Sequence, residues 1–72
     1  MSKVMKHEFR VSGMRCSSCE LLVKEALEEL DGVTLAEASC RDGLVTVAYD
    51  PEMTGKESIR FVIEQQGFTV QD

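Results

Sequence analysis

The sequence predicts a ferredoxin-like α+β sandwich: a βαββαβ chain folded into a four-stranded antiparallel sheet with two helices on one face. Three observations carry that expectation. Apolar residues alternate with polar ones in short runs, they recur at helical spacing in two longer runs, and the runs follow one another as two strand-helix-strand units. Right-handed crossovers then bring both helices to the same side of the sheet.

Met5, Phe9 and Val11 alternate with Lys6, Glu8 and Arg10, the two-residue period of a strand with one buried face. Gly13 breaks that run. Ser17 followed by Glu20 has capping-box spacing, so a helix is expected from Cys16 or just after it. Val23, Ala26, Leu27 and Leu30 form its apolar stripe, and Asp31-Gly32 ends it, with Gly32 suited to a left-handed position after the helix. Val33 to Cys40 and Leu44 to Tyr49 read as two strands around Arg41-Asp42-Gly43, because Asp-Gly between apolar alternations is a hairpin signal. Asp50-Pro51 closes the second of them. Thr54 with Glu57 repeats the capping-box spacing ahead of a second stripe, Ile59, Val62, Ile63 and Gln66. Gly67 stops this helix, and Phe68-Thr69-Val70 makes the last strand. In this topology the loop bearing Cys16 and Cys19, the Asp42 hairpin and the Gly67 loop share one end of the sheet. Function is expected there.

Residues 1–72 are read as one domain, with no linker or low-complexity tract. A domain of this size buries only about 60% of its unfolded surface, which leaves little room for a deep substrate cleft and argues against an enzyme. A formal net charge of -5 opposes binding to nucleic acid, and no basic run offsets it. No apolar run approaches the roughly 20 residues that span a bilayer, and the N-terminus has no apolar signal core. A cytoplasmic location is therefore expected. Three cysteines, two of them close together, do not make a disulfide framework, and reduced thiols are the expected state without export.

Cys16 and Cys19 are two soft sulfur donors three residues apart, set where a strand ends and a helix begins. That arrangement suits a soft metal ion. A thioredoxin-like dithiol also opens a helix, but that fold needs a longer chain and a cis-proline before a strand, whereas Pro51 here follows a strand end. A thiol-disulfide oxidoreductase is thus the alternative of a different class.

The stretch Gly13-Met14-Arg15-Cys16-Ser17-Ser18-Cys19 resembles the Gly-Met-x-Cys-x-x-Cys motif of heavy-metal-associated domains. The resemblance continues through Val23 to Leu27, Asp31-Gly32-Val33, Val45 to Pro51, and Ile63-Glu64 with Gly67-Phe68. It implies a copper(I) chaperone with Cys16 and Cys19 as ligands, or a metal-binding domain from the N-terminus of a copper-transporting ATPase. The partner it implies is a copper-transporting P-type ATPase or its metal-binding domains, reached through thiolate-bridged exchange. The apo chain is then a monomer, with a metal-bridged dimer open to the loaded form. Free bacterial chaperones of the family often carry Tyr at the position of Phe68, and ATPase-attached domains more usually Phe. A start of its own and the lack of membrane segments favour the free chaperone. Mercury(II), also soft and linear, is the alternative metal.

Copper(I) prefers thiolates, and two suffice for near-linear coordination that leaves room for a third. Structural zinc wants four ligands, and no second Cys-x-x-Cys exists. His7 lies five residues before the strand end, about 16 Å away, too far to complete a site, and is expected at the surface. Zinc- and lead-specific relatives often place Asp just before the first Cys; Arg15 stands there instead and favours a monovalent, sulfur-only site. The helix N-terminus, with Arg15 and more distantly Arg10 and Arg41, supplies positive potential matched to a dithiolate copper(I) unit of net negative charge.

Met14 is expected in the core, as the matching family residue is, and not as a third ligand. Cys40 is expected to pack as a small hydrophobe on an edge strand, with metal clustering or redox sensing as the lesser readings. Phe68 is read as core capping, as a dry lid over the metal, or as both. Leu21 and Leu22 lie off the buried stripe, as peripheral packing or as an apolar docking patch for the partner. Glu25, Glu28, Glu29 and Asp31 read as a solvated helix face.

Overall fold

The computed structural model describes residues 4–15 and 17–71. Its elements are β1 (Met5–Ser12), α1 (Ser17–Glu28), β2 (Val33–Ser39), β3 (Leu44–Tyr49), α2 (Lys56–Gln65) and β4 (Thr69–Val70). The strands form one antiparallel sheet in the order β2-β3-β1-β4, the ferredoxin-like arrangement. β2 is an edge strand, as expected.

Cross-strand register explains which face is buried. Rows such as Phe9–Val45–Ala38 and His7–Val47–Ala36 turn toward the helices, and rows such as Glu8–Thr46–Glu37 turn away. Phe9, Val45, Val47 and Ala36 are accordingly buried, together with Val23 and Leu27 of α1 and Ile59 and Ile63 of α2. The two helices pack on each other, α1 also on β2 and α2 on β4. Both predicted helical stripes therefore point inward. Their outer members are less covered: Ala26, Leu30 and Val62 are half-buried, and Gln66 is exposed.

Element ends differ from expectation at three points. α1 stops at Glu28, and the chain tightens through Leu30 N–H to Leu27 O before Gly32 adopts φ +98°. Cys40 belongs to the turn and not to β2; Ser39 pairs with Leu44, and Gly43 N–H closes the turn on Ser39 O at 2.9 Å. The N-cap of α2 is Gly55, with no side-chain cap bond, so Thr54 does not open a capping box. A turn on Asp50, whose carbonyl accepts from both Met53 and Thr54 N–H, carries Thr54 inward beneath Gly32.

Thr54 Oγ1 is buried there without a hydrogen-bond partner among the described residues. A buried unpaired hydroxyl costs free energy, and a methyl group in its place does not. Thr54→Val is expected to stabilise the fold by about 1 kcal/mol, read as a higher urea midpoint at unchanged m-value. A lower midpoint would show that the hydroxyl is bonded in solution.

Candidate metal centre

The three loops expected at one end of the sheet do meet there. Val11 N–H donates to Gly43 O at 2.8 Å, joining β1 to the β2–β3 turn, and Ser12 pairs with Thr69 just after Phe68. β1 ends at Ser12, and Gly13 turns the chain with φ +102°, a conformation that side chains other than glycine resist. A Cβ on Gly13 would lie 3.4 Å from Phe68 Cδ1, so the thiol-bearing loop rests against that ring.

Met14 is 7% exposed and belongs to the core, as expected. It anchors the loop from below while Arg15 stays in solvent. Cys16 lies outside the described residues. α1 begins at Ser17, so Ser17 is the first helical residue, and Cys19 lies half-buried in the first turn with its side chain against the core. Phe68 is buried at 9% exposure, consistent with capping the core at this end. Leu21 and Leu22 are 57% and 51% exposed, and Leu21 lines a shallow cleft of about 350 Å³ with Glu20, Lys24, Glu37 and Ala38.

Glu20 does something that local sequence spacing does not show. Its carboxylate reaches the β2–β3 turn, where Oε2 accepts the Cys40 backbone N–H at 2.6 Å across 20 residues of chain. That bond, joined by one from the Cys40 thiol, holds the Glu20 carboxyl below its usual range against a smaller opposing effect of desolvation. Cys40 is half-buried against the core, as a small hydrophobe would be. Ser39 and Asp42 stiffen the same turn, with Ser39 Oγ donating to Asp42 Oδ2 and accepting from Asp42 N–H.

His7 departs from its expected surface position. It is half-buried on the helix-facing side of β1, its ring edge-on to Phe9 at a centroid distance of 4.5 Å. It lines a separate cleft with Lys56, Glu57 and Arg60, and the structure does not bring it to the thiol loop. Among the described residues, no three His, Cys, Asp or Glu side chains gather as a metal-holding set. No helix among them is long and apolar enough to cross a membrane.

A ferredoxin-like sandwich whose sequence carries a Cys-x-x-Cys motif leading into its first helix belongs to a class of small metal-binding modules. The profile of the heavy-metal-associated domain matches residues 8–69, and the chain belongs to that family. It is 40% identical over 60 residues to the copper chaperone CopZ of Staphylococcus aureus (strain MRSA252), a match spanning 83% of this chain and 88% of that protein. The structure of a CopZ metallochaperone superposes with a TM-score of 0.91 at 34% identity, covering 93% of this chain and all of that one. The water-soluble region of the P-type ATPase CopA from Bacillus subtilis gives the same TM-score and identity over 97% of this chain, but only 46% of its own length.

Proposed function

We infer that the protein binds copper(I) on Cys16 and Cys19 and passes it to a thiol-bearing acceptor, a copper-transporting P-type ATPase or its metal-binding domains. The donor set carries this reading: two soft sulfurs, one of them held in the first turn of α1, with a cation at Arg15 where a hard ligand would otherwise stand. Met14 is committed to the core and leaves the pair incomplete. The similarity to CopZ supports the same metal.

An incomplete site suits transfer. An acceptor thiolate adds to the two-coordinate copper(I) and forms a third Cu–S bond, and one original Cu–S bond then breaks. A second acceptor thiolate displaces the remaining cysteine in the same way. No electron moves, and the two thiolates left behind take up protons from solvent. In this reading Phe68, against which Gly13 of the thiol loop packs, is an apolar neighbour that shields copper(I) from competing donors. Leu21 and Leu22, exposed one turn further along α1, provide the apolar surface for docking. The protein acts by binding and release and not by catalysis, in the cytoplasm, as a monomer when apo.

The test is anaerobic copper(I) titration against a competing chelator, comparing wild type with Cys16→Ser and Cys19→Ser. One-to-one binding by the wild type, lost in both variants, is expected. Binding retained in either variant removes that cysteine from the site. A second reading, a metal-binding domain of a copper ATPase, is favoured by Phe68 and by the likeness to CopA. An adjacent membrane-spanning reading frame continuous with this sequence would decide for it.

A further inference from the structure

We propose that Glu20 is a positioning residue for the thiol site, tethering the first turn of α1 so that Cys19 is held in place whether or not metal is bound. The proposal rests on the copper(I) reading above. Cys19 stands in a helical turn whose own N–H groups have no preceding carbonyls to bond, the part of any helix most prone to fray. Glu20, the next residue, leaves the helix sideways and accepts the Cys40 N–H at 2.6 Å. The other end of that bond is firm. The 40–43 turn is closed on itself by Gly43 N–H to Ser39 O and fastened to β1 by Val11 N–H to Gly43 O. The tether thus runs from the metal-bearing turn to the sheet without passing through the thiol loop.

The same bond has a chemical effect. A carboxylate beside Cys19 is a hard oxygen donor next to a soft pair, and it would favour divalent ions if it faced them. Committed to the Cys40 N–H and thiol, it is turned toward the β2–β3 turn. Holding the helix start and withholding the oxygen are two results of one contact.

The experiment compares wild type, Glu20→Ala, Glu20→Gln and, as a stability control, Thr34→Val. The control removes the bond from Thr34 Oγ1 to the Ala48 carbonyl, at the far end of β2. Three quantities are measured: the rate of copper(I) loss to excess chelator, hydrogen exchange of the Cys40 amide in the apo protein, and the urea midpoint. Glu20→Ala is expected to speed copper(I) loss about tenfold, the lower end of what removing a residue that orients a metal ligand costs, and to expose the Cys40 amide. Glu20→Gln keeps an oxygen for the Cys40 N–H and should restore slow loss. Thr34→Val should lower the urea midpoint and leave the loss rate unchanged. Copper(I) loss from Glu20→Ala at the wild-type rate, or acceleration matched by Thr34→Val, overturns the proposal. A wild type that takes up no copper(I) at all instead overturns the functional reading on which it stands.

Discussion

Leu27→Ala is expected to remove much of the stability of this fold. Leu27 is fully buried between the helix layer and the sheet, with Val23, Ile59 and Ile63 around it in the same core. Truncating a buried leucine costs the transfer free energy of the lost methyl groups and leaves a cavity, together about 3–5 kcal/mol. A chain of 72 residues has about 4–11 kcal/mol to lose, at the usual stability per residue. The variant should show a large fall in urea midpoint with little change in m-value. Its apparent copper(I) affinity should fall in proportion to the folded fraction, while the folded molecules bind as before. A midpoint within experimental error of wild type would mean that the core closes around the missing atoms.

The second large effect is expected at Gly32→Ala, and it has another origin. Gly32 has φ +98°, and a Cβ there would lie 2.8 Å from Met53 Cβ and 3.0 Å from Thr54 Cγ2. The first is too close for any real Cβ contact, and Met53 Cβ sits next to the backbone, where it cannot swing aside. The left-handed conformation costs an alanine about 1–2 kcal/mol, and the forced shift of the 50–54 turn adds about 1–3 kcal/mol. Gly32 O also accepts Asp50 N–H at 2.7 Å, so displacement reaches the end of β3. This site lies at the end of the sheet remote from the thiols. Urea denaturation should report the loss, and copper(I) loss from the folded variant should keep its wild-type rate. Stability equal to wild type would show that the turn can open without cost.

Features written in periodicity were legible in the sequence. The alternation around Phe9 and Val11, the stripes of Val23 with Leu27 and of Ile59 with Ile63, and the Asp42-Gly43 turn each depend on neighbours in the chain, and all reappear in the structure. So does the meeting of the three loops, because topology alone requires it. Two features depend on tertiary contact and were not legible. Thr54 has the composition and spacing of a cap, but the Asp50 turn draws it under Gly32 and leaves Gly55 to begin the helix. Glu20 has the spacing to cap Ser17, yet the bond that matters runs to Cys40, and nothing in the local pattern points 20 residues ahead. The one clue was chemical: a carboxylate beside two thiols must be directed somewhere. Half of the thiol pair, Cys16, lies outside the described residues, so its part in the site is carried by the sequence motif.

The register of the central strands also sets a timetable. Met5 pairs with Tyr49 and Arg10 with Leu44, so the two middle strands of the sheet come from opposite halves of the chain. β1 has no place to rest until β3 has been made, up to 44 residues later along that register, which at cellular synthesis rates is a delay of about 2–9 s. Such non-local pairing slows folding relative to helical bundles of equal size. Cys19 is joined to the chain 24 residues before Gly43 completes the turn that anchors Glu20. The thiols are therefore made before the turn that steadies them, and metal met before that turn forms would find a flexible peptide instead of a built site.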